Sequence, residues 1–105
     1  MEKEVIEMAN MYEAYIVDSR SWERDKNDRP IWTHRLIATG VFTNKKDMES
    51  WARKTGGFGA RCYVYLNGSN KLYDDFRTSH GKIPRHSGFA FSIFKNKRPT
   101  TVVRR

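Results

Sequence analysis

The chain has 105 residues, 38% of them hydrophobic and 13% aromatic, and it carries a formal net charge of +8. This length fits one domain with one core, and the aromatic content excludes a disordered chain. The single cysteine, Cys62, excludes an intrachain disulfide and a cysteine-based zinc site, and it suits a reducing compartment.

Residues 1–11 are predicted to form a loosely ordered leader, because their acidic side chains and scattered apolar residues do not define a helix. The start of the chain is acidic where a signal peptide is basic, and no stretch approaches the length that spans a membrane. We therefore expect a cytoplasmic protein with no membrane partner.

Two strands are predicted in the first half of the chain. The first covers Tyr12–Val17, a run rich in aromatic and β-branched residues. The next stretch, Asp18–Pro30, is polar and is predicted to be a loop, with Trp22 as its one large apolar side chain. Residues Ile31–Phe42 then alternate between apolar and polar side chains, which predicts a second strand with one buried face.

The clearest helix signal follows the second strand. Thr43 or Asn44 can serve as the N-cap, and Asp47 lies in the first turn, where a negative charge is favourable. Met48 begins an apolar stripe at helical spacing, and the glycine pair Gly56–Gly57 predicts the end of the helix.

Three strands are predicted after the helix. The alternating run Phe58–Leu66 is joined by an Asn-Gly turn to a strand over Leu72–Arg77, and a last strand is predicted over Phe89–Phe94. The order ββαβββ predicts an α+β domain over residues 12–95, with a mostly antiparallel sheet of about five strands under one covering helix. Residues 96–105 are predicted to form a basic tail.

Positive charge is concentrated in the second half of the chain. Up to Ser50, 10 acidic residues stand against 8 basic ones, whereas after it 12 basic residues stand against 2 acidic ones. The last 30 residues, from Phe76 onward, contain no Asp or Glu. Because segregated like charge repels itself and lowers stability, we expect a polyanionic partner, with nucleic acid as the leading candidate.

An aromatic and basic surface on the strand after the helix would suit unpaired bases. If Cys62 and Val64 face the core, Tyr63 and Tyr65 lie on the opposite face beside Arg61. There either bases can stack on the rings while phosphates meet a cation, or the tyrosines pack under a neighbouring element such as the tail or the Trp22 loop. We therefore predict a non-catalytic nucleic-acid-binding protein that favours RNA or single strands over duplex DNA. The other predicted contacts are Arg77, His80, Lys82, Arg85, His86, Lys95, Lys97, Arg98, Arg104 and Arg105.

A metal-independent ribonuclease is one alternative. His80 and His86 could act as general base and general acid on the 2′-hydroxyl and the leaving oxygen, and Lys82 could stabilise the charge that develops on the phosphorus centre. The spacing of these residues is not specific to a nuclease, so we rank contacts to phosphate above catalysis.

A second alternative is a small inhibitor or adaptor, of the kind that phages encode, which docks on a protein that handles nucleic acid. Trp22 and Arg24 would then form the protein-binding site, because Trp and Arg are enriched at the energetic centres of protein interfaces. We predict no metal site and no cofactor, because the histidines and the one cysteine show none of the usual ligand spacings.

Overall fold

The computed structural model describes residues 10–57, 60–78 and 93–104. The predicted leader lies outside these ranges apart from Asn10 and Met11. The secondary structure of the described residues comprises β1 (Tyr12–Arg24), β2 (Pro30–Phe42), α1 (Lys45–Gly56), β3 (Ala60–Leu66), β4 (Leu72–Arg77) and β5 (Val102–Arg104). This single helix and mainly antiparallel sheet confirm the predicted α+β fold.

The five strands form one sheet in the order β4-β3-β1-β2-β5, and every neighbouring pair is antiparallel. β1 is the central strand, and it pairs with β2 along its whole length. On its other side it pairs with β3 only from Tyr12 to Asp18. The second half of β1 therefore extends beyond β3, a feature on which the candidate site depends.

Both ends of α1 follow the sequence signals. The side-chain oxygen Oδ1 of Asn44 accepts hydrogen bonds from the backbone N–H groups of Lys46 (2.8 Å) and Asp47 (3.1 Å). A cap of this kind stabilises a helix by about 1 kcal/mol. At the other end Gly57 adopts a positive φ of 61°, which favours glycine, and its N–H donates to the carbonyl of Arg53 (3.3 Å).

The helix covers one face of the sheet. Phe42 and Trp51 pack at the margin of this contact, with ring centroids 5.0 Å apart. The buried residues of the cluster are Ala14, Ile16, Met48, Ala52, Ala60, Cys62, Val64 and Phe76. Because the stripe of α1 meets small and branched side chains of three strands, the helix packs closely against the sheet.

The opposite face of the sheet is buried as well, and residues 93–103 contribute to its cover. The N–H of Leu72 donates to the carbonyl of Lys95 (2.7 Å), and the N–H of Leu36 donates to the carbonyl of Thr101 (2.9 Å). The second cluster has Val17, Tyr63, Tyr65 and Phe94 at its centre, with Tyr15, Leu36, Leu72, Ile93 and Val103 packed around them. The sheet therefore has a core on each side.

The fifth strand does not lie where the sequence predicted it. Of the predicted strand Phe89–Phe94, residues 89–92 lie outside the described part of the chain, Ile93 is helical and Phe94 lies in a turn. β5 comes instead from residues 96–105, which were predicted to form a tail, and Val103 packs into the second core. Two adjacent valines favour a strand, but the surrounding arginines gave the segment the composition of a solvated tail.

The prediction of a loop over Asp18–Pro30 is wrong, because β1 continues past Val17 and pairs with β2 as far as the pair Arg24 and Pro30. Residues 20–30 are all exposed. With both faces of the hairpin in water, apolar and polar side chains do not alternate, and the usual sequence signal of a strand is missing.

The turn of this hairpin is held by one carboxylate. Asp25 Oδ1 accepts hydrogen bonds from the backbone N–H groups of Asn27 (2.8 Å) and Arg29 (3.0 Å), and Asp28 adopts a positive φ of 62°. Asp and Asn are the side chains that favour such turns. We refer to residues 19–32 as the arm and to the rest of the described fold as the base. No described strand pairs with the flanks of the arm.

Candidate nucleic-acid interface

The predicted tyrosine platform is wrong, because Tyr63 and Tyr65 are both 0% exposed. β3 lies between β1 and β4, and the second core covers the face on which these tyrosines lie. The ring of Tyr65 contacts Tyr15 edge to face (5.5 Å between centroids), and that of Tyr63 contacts Phe94 (4.8 Å). Burial raises the pKa of both hydroxyls well above the ordinary value for tyrosine. Bases cannot stack on these rings.

Arg61 is a structural residue in the described fold. Its Nε lies 2.6 Å from Oδ2 of Asp75, and the two side chains are 12% and 0% exposed. A carboxylate that is removed from water needs such a partner, because an unpaired buried charge is strongly unfavourable. The pair joins neighbouring strands β3 and β4 and holds the guanidinium away from solvent.

Arg98 also stabilises the base. Its guanidinium donates to the carbonyl of Ser69 (2.7 Å), to Oδ1 of Asn70 (3.0 Å) and to the hydroxyl of Tyr15 (2.9 Å), and it forms an ion pair with Glu13. These contacts fix the C-terminal segment to the β3–β4 turn and to β1. A side chain that is committed to four partners is poorly available for phosphate.

The structure divides the other predicted contacts into two groups. Arg77, Lys95 and Lys97 are exposed and have no acidic partner among the described residues, whereas Arg104 lies in β5 and forms an ion pair with Glu23. The remaining predicted contacts lie outside the described residues: His80, Lys82, Arg85, His86 and Arg105. Their use in binding or in catalysis stays a prediction.

Arginines and lysines have different roles in the described part of the chain. Each ion pair there uses an arginine: Arg20 with Asp18, Arg24 with Asp28, Arg61 with Asp75, Arg98 with Glu13, and Arg104 with Glu23. The exposed cations without an acidic partner in these ranges are Lys26, Arg29, Arg35, Lys45, Lys46, Lys54, Lys71, Arg77, Lys95 and Lys97. The acids of the base are largely paired or buried, so the accessible unpaired charge is mainly positive.

Three of these lysines lie around one end of the sheet. Lys71 is next to Leu72, whose N–H donates to the carbonyl of Lys95. Lys97 is held in the same region, because its carbonyl accepts a hydrogen bond from the hydroxyl of Tyr65 (3.1 Å). We refer to Lys71, Lys95 and Lys97 as the lysine cluster. Their backbones are fixed by the fold while their ammonium groups are free to meet a polyanion.

A second candidate site lies where the arm meets the base, and its residues Asp18, Arg20 and Trp22 belong to the segment that the sequence analysis assigned to a loop. Asp18, Arg20, Trp22, Thr33 and Arg35 line a pocket of about 240 Å³ at the root of the arm. Trp22 is 75% exposed, although burying a large apolar side chain stabilises a protein by about 2 kcal/mol or more. An indole left in water therefore points to a role other than stability.

The guanidinium of Arg20 is positioned by its neighbours. Its Nε donates to the carboxylate of Asp18 (3.0 and 3.2 Å), and its Cζ lies 5.7 Å from the centre of the Trp22 ring. Arg35 faces Asp18 across the two strands and lines the same pocket, but it has no acidic partner of its own among the described residues. The pocket therefore combines an aromatic face with a surplus positive charge.

The described residues offer little support for metal or thiol chemistry. Within these ranges no group of three or more His, Cys, Asp and Glu side chains is arranged to hold a metal ion. Cys62 is buried against the helix, and the loss of water around it raises the pKa of its thiol far above the usual range. No helix in the described ranges combines the length and apolarity that crossing a membrane requires.

Comparison of the chain with protein-family models, curated proteins and solved structures gives no match.

Proposed function

We propose that this protein binds nucleic acid without catalysis, with RNA or single strands favoured over duplex DNA. The observation that carries the proposal is the set of exposed lysines and arginines that have no acidic partner in the described ranges, while the carboxylates of the base outside α1 are paired or buried. Positive charge that a fold leaves uncompensated creates a field that attracts polyanions.

The kinds of side chain involved support contact with phosphate. A lysine ammonium is a compact charge on a flexible stem, and it can follow an irregular backbone without a fixed geometry. The arginines, which could recognise bases in a defined orientation, are mostly used in internal ion pairs. We therefore expect affinity that depends on charge and is largely independent of base sequence.

The single-strand preference rests on what the elements present. α1 carries Asp47 and Glu49 next to Lys45 and Lys46, so its surface is not the strongly basic one that a helix in the major groove of DNA needs. The proposal includes a cytoplasmic location, since the one cysteine is buried and reduced thiols are stable there.

Salt-dependent binding provides the test. The affinity for a short fluorescent oligouridine should fall steeply with salt, because each phosphate neutralised on a single strand contributes about −0.7 to the log–log slope. Replacing Lys71, Lys95 and Lys97 with Gln should flatten the slope by about 2 if all three make contact. Absence of binding by the wild-type protein at low salt would refute the proposed function.

A matched control separates the position of charge from its amount. The variant in which Lys45, Lys46 and Lys54 of α1 are replaced with Gln loses the same charge, but two of these lysines lie beside acids. It should flatten the slope less than the lysine-cluster variant. If both triple variants flatten the slope equally, the charge acts as a diffuse field and the lysine cluster is not a contact site.

A protein partner is the second candidate, and the exposure of Trp22 favours it. The arm balances several of its own charges, as in the ion pairs of Arg20 with Asp18 and Arg24 with Asp28, and a surface of mixed charge also suits a protein partner. Purification of the tagged protein with and without nuclease distinguishes the two candidates. Nucleic acid recovered only in the untreated sample supports binding to nucleic acid, whereas a stoichiometric protein that survives the nuclease supports the adaptor.

A further inference from the structure

The pocket at the root of the arm is positioned by the way the hairpin extends from the sheet. β3 ends its pairing with β1 at Asp18, and β5 ends its pairing with β2 at Thr33. The pocket therefore lies where the base ends and the arm begins. A partner that binds here can contact the hairpin from outside the sheet without disturbing either core.

Trp22 occupies an irregular position in the hairpin. The register between β1 and β2 shifts between Ser21 and Glu23, so that Trp22 is an extra residue on its strand. A bulge of this kind changes the direction of a side chain, and such irregularities are often found beside functional sites. The indole is 75% exposed and lines the pocket, so most of its surface is accessible to a ligand.

The polar groups around Trp22 have complementary roles. Asp18 accepts from Arg20 and keeps that guanidinium near the indole, at 5.7 Å from the ring centre. Because the charge of Asp18 is used in this way, Arg35 is the uncompensated cation of the pocket. Thr33 adds a hydroxyl on the neighbouring strand, which can donate to or accept from a polar ligand.

We propose that this pocket binds one unpaired nucleotide of a single strand, with the base stacked on Trp22 and its phosphate held by Arg35. An aromatic face beside a cation is the arrangement that single-strand-binding proteins use, and stacking tolerates any base. The volume of about 240 Å³ is below the range of enclosed ligand pockets, about 300 to 1,000 Å³, and suits a flat base whose chain continues into solvent. The inference rests on the proposed function and assigns it a site.

Trp22→Ala tests the site directly, because the side chain is exposed and its loss should leave the melting temperature unchanged. The loss of stacking on one base should weaken binding by about fivefold or more, and we expect this effect for the variant with oligouridine. Trp22→Phe keeps a stacking surface and should retain most of the affinity. Neither variant should change the slope of affinity against salt, because no charge is lost.

Arg35→Gln provides a different readout at the same pocket. It should flatten the log–log salt slope for oligouridine by about 0.7, the effect of one phosphate contact on a single strand. Lys46→Gln, which removes one charge from the first turn of α1, is its control and should leave the slope closer to the wild-type value, because this turn follows the end of β2 that is remote from Arg35. Oligouridine and oligothymidine compared side by side show whether the 2′-hydroxyl adds to recognition.

The outcomes distinguish failure of the site from failure of the function. If Trp22→Ala binds single strands as tightly as the wild type does, the pocket is not a nucleotide site, while the proposed function stands on the lysines. If the wild type binds no nucleic acid, both proposals are overturned. If Trp22→Ala abolishes association with a protein partner and leaves RNA affinity unchanged, the arm is a protein-docking site and the inference is wrong.

Discussion

The base and the arm are built from the same two strands but have opposite surroundings. In the base, β1 and β2 lie between two cores, and neighbouring β1 side chains such as Ile16 and Val17 are buried in one core each. In the arm residues 20–30 are all exposed to water, and the side chain of Trp22 among them is 75% exposed. The β1–β2 hairpin is therefore stabilised by core packing in the base, and by backbone pairing and its turn in the arm.

This contrast separates residues that stabilise the fold from residues that are available for partners. Arginines of the base, such as Arg61 and Arg98, are occupied by acids and carbonyls of the fold. Arg35 at the root of the arm and the lysine cluster have no such partners in the described ranges. Substitutions of Arg61 or Arg98 should therefore change stability, whereas substitutions of Trp22, Arg35 or the lysine cluster should change binding.

The largest difference is expected between Phe94→Ala and Trp22→Ala. Phe94 is 1% exposed and packs on Tyr63 and His34, so its truncation leaves a cavity and should lower the free energy of unfolding by about 3 to 5 kcal/mol. Trp22→Ala should change it by less than about 0.5 kcal/mol. Urea denaturation of both variants measures this. Equal losses would show that Trp22 is packed and that the arm is part of the core.

Breaking the buried ion pair should have the next largest effect. Arg61→Leu leaves the carboxylate of Asp75 in the interior without its guanidinium, which should cost about 3 kcal/mol of unfolding free energy. The double variant with Asp75→Leu removes the stranded charge and should recover part of this loss. If the double variant is less stable than Arg61→Leu alone, the desolvated carboxylate is not the cause.

The two central tyrosines allow a finer test within the base. The hydroxyl of Tyr65 donates to the carbonyls of Phe94 (2.7 Å) and Lys97 (3.1 Å), so Tyr65→Phe should destabilise the fold by about 1 kcal/mol. The hydroxyl of Tyr63 is buried and has no hydrogen-bond partner among the described residues, so Tyr63→Phe should be neutral or slightly stabilising. Thermal melts of the two variants measure this difference in stability. A destabilised Tyr63→Phe variant would contradict the view that the Tyr63 hydroxyl makes no stabilising hydrogen bond.

The buried hydroxyl of Tyr63 should also make the stability of the fold depend on pH in the alkaline range, while leaving it unchanged near neutral pH. Burial raises the pKa of Tyr63 in the folded state above its ordinary value of 10, so the unfolded chain loses this proton first as the pH rises. The stability that depends on the neutral phenol is complete below pH 10 and is lost as the pH rises further. Urea midpoints measured across this range should fall less steeply in Tyr63→Phe than in the wild type.

The sequence specified the base better than the arm, for physical reasons. The cap at Asn44, the stop at Gly57 and the alternating strands each leave a local pattern, and the structure has the helix and the strand order that these patterns predicted. The arm leaves no such pattern, because a hairpin that is exposed to water does not need apolar and polar side chains to alternate along its strands. The turn residues Asp25 and Asn27 are the local signal from which this hairpin could have been predicted.

The tyrosine prediction failed because one face of β3 was assumed to be open. Alternation shows that Tyr63 and Tyr65 share a face, but it cannot show what covers that face. The cover comes from Phe94 and Val103, which are far along the chain and lie in or near a segment rich in arginine and lysine. Long-range packing of this kind has no local signature. The most exposed aromatic residue in the described ranges is instead Trp22, which the sequence analysis had assigned to a protein partner.

The indole signals of the tryptophans provide the most direct test of a division between a binding arm and a structural base. In proton–nitrogen NMR spectra, assigned with single Trp→Phe variants, Trp22 reports on the arm and Trp51 on the helix face of the base. Titration with oligouridine should shift the indole N–H of Trp22 in a salt-dependent manner and leave that of Trp51 in place. A shift confined to Trp51, or no shift at saturating RNA, would contradict binding through the arm.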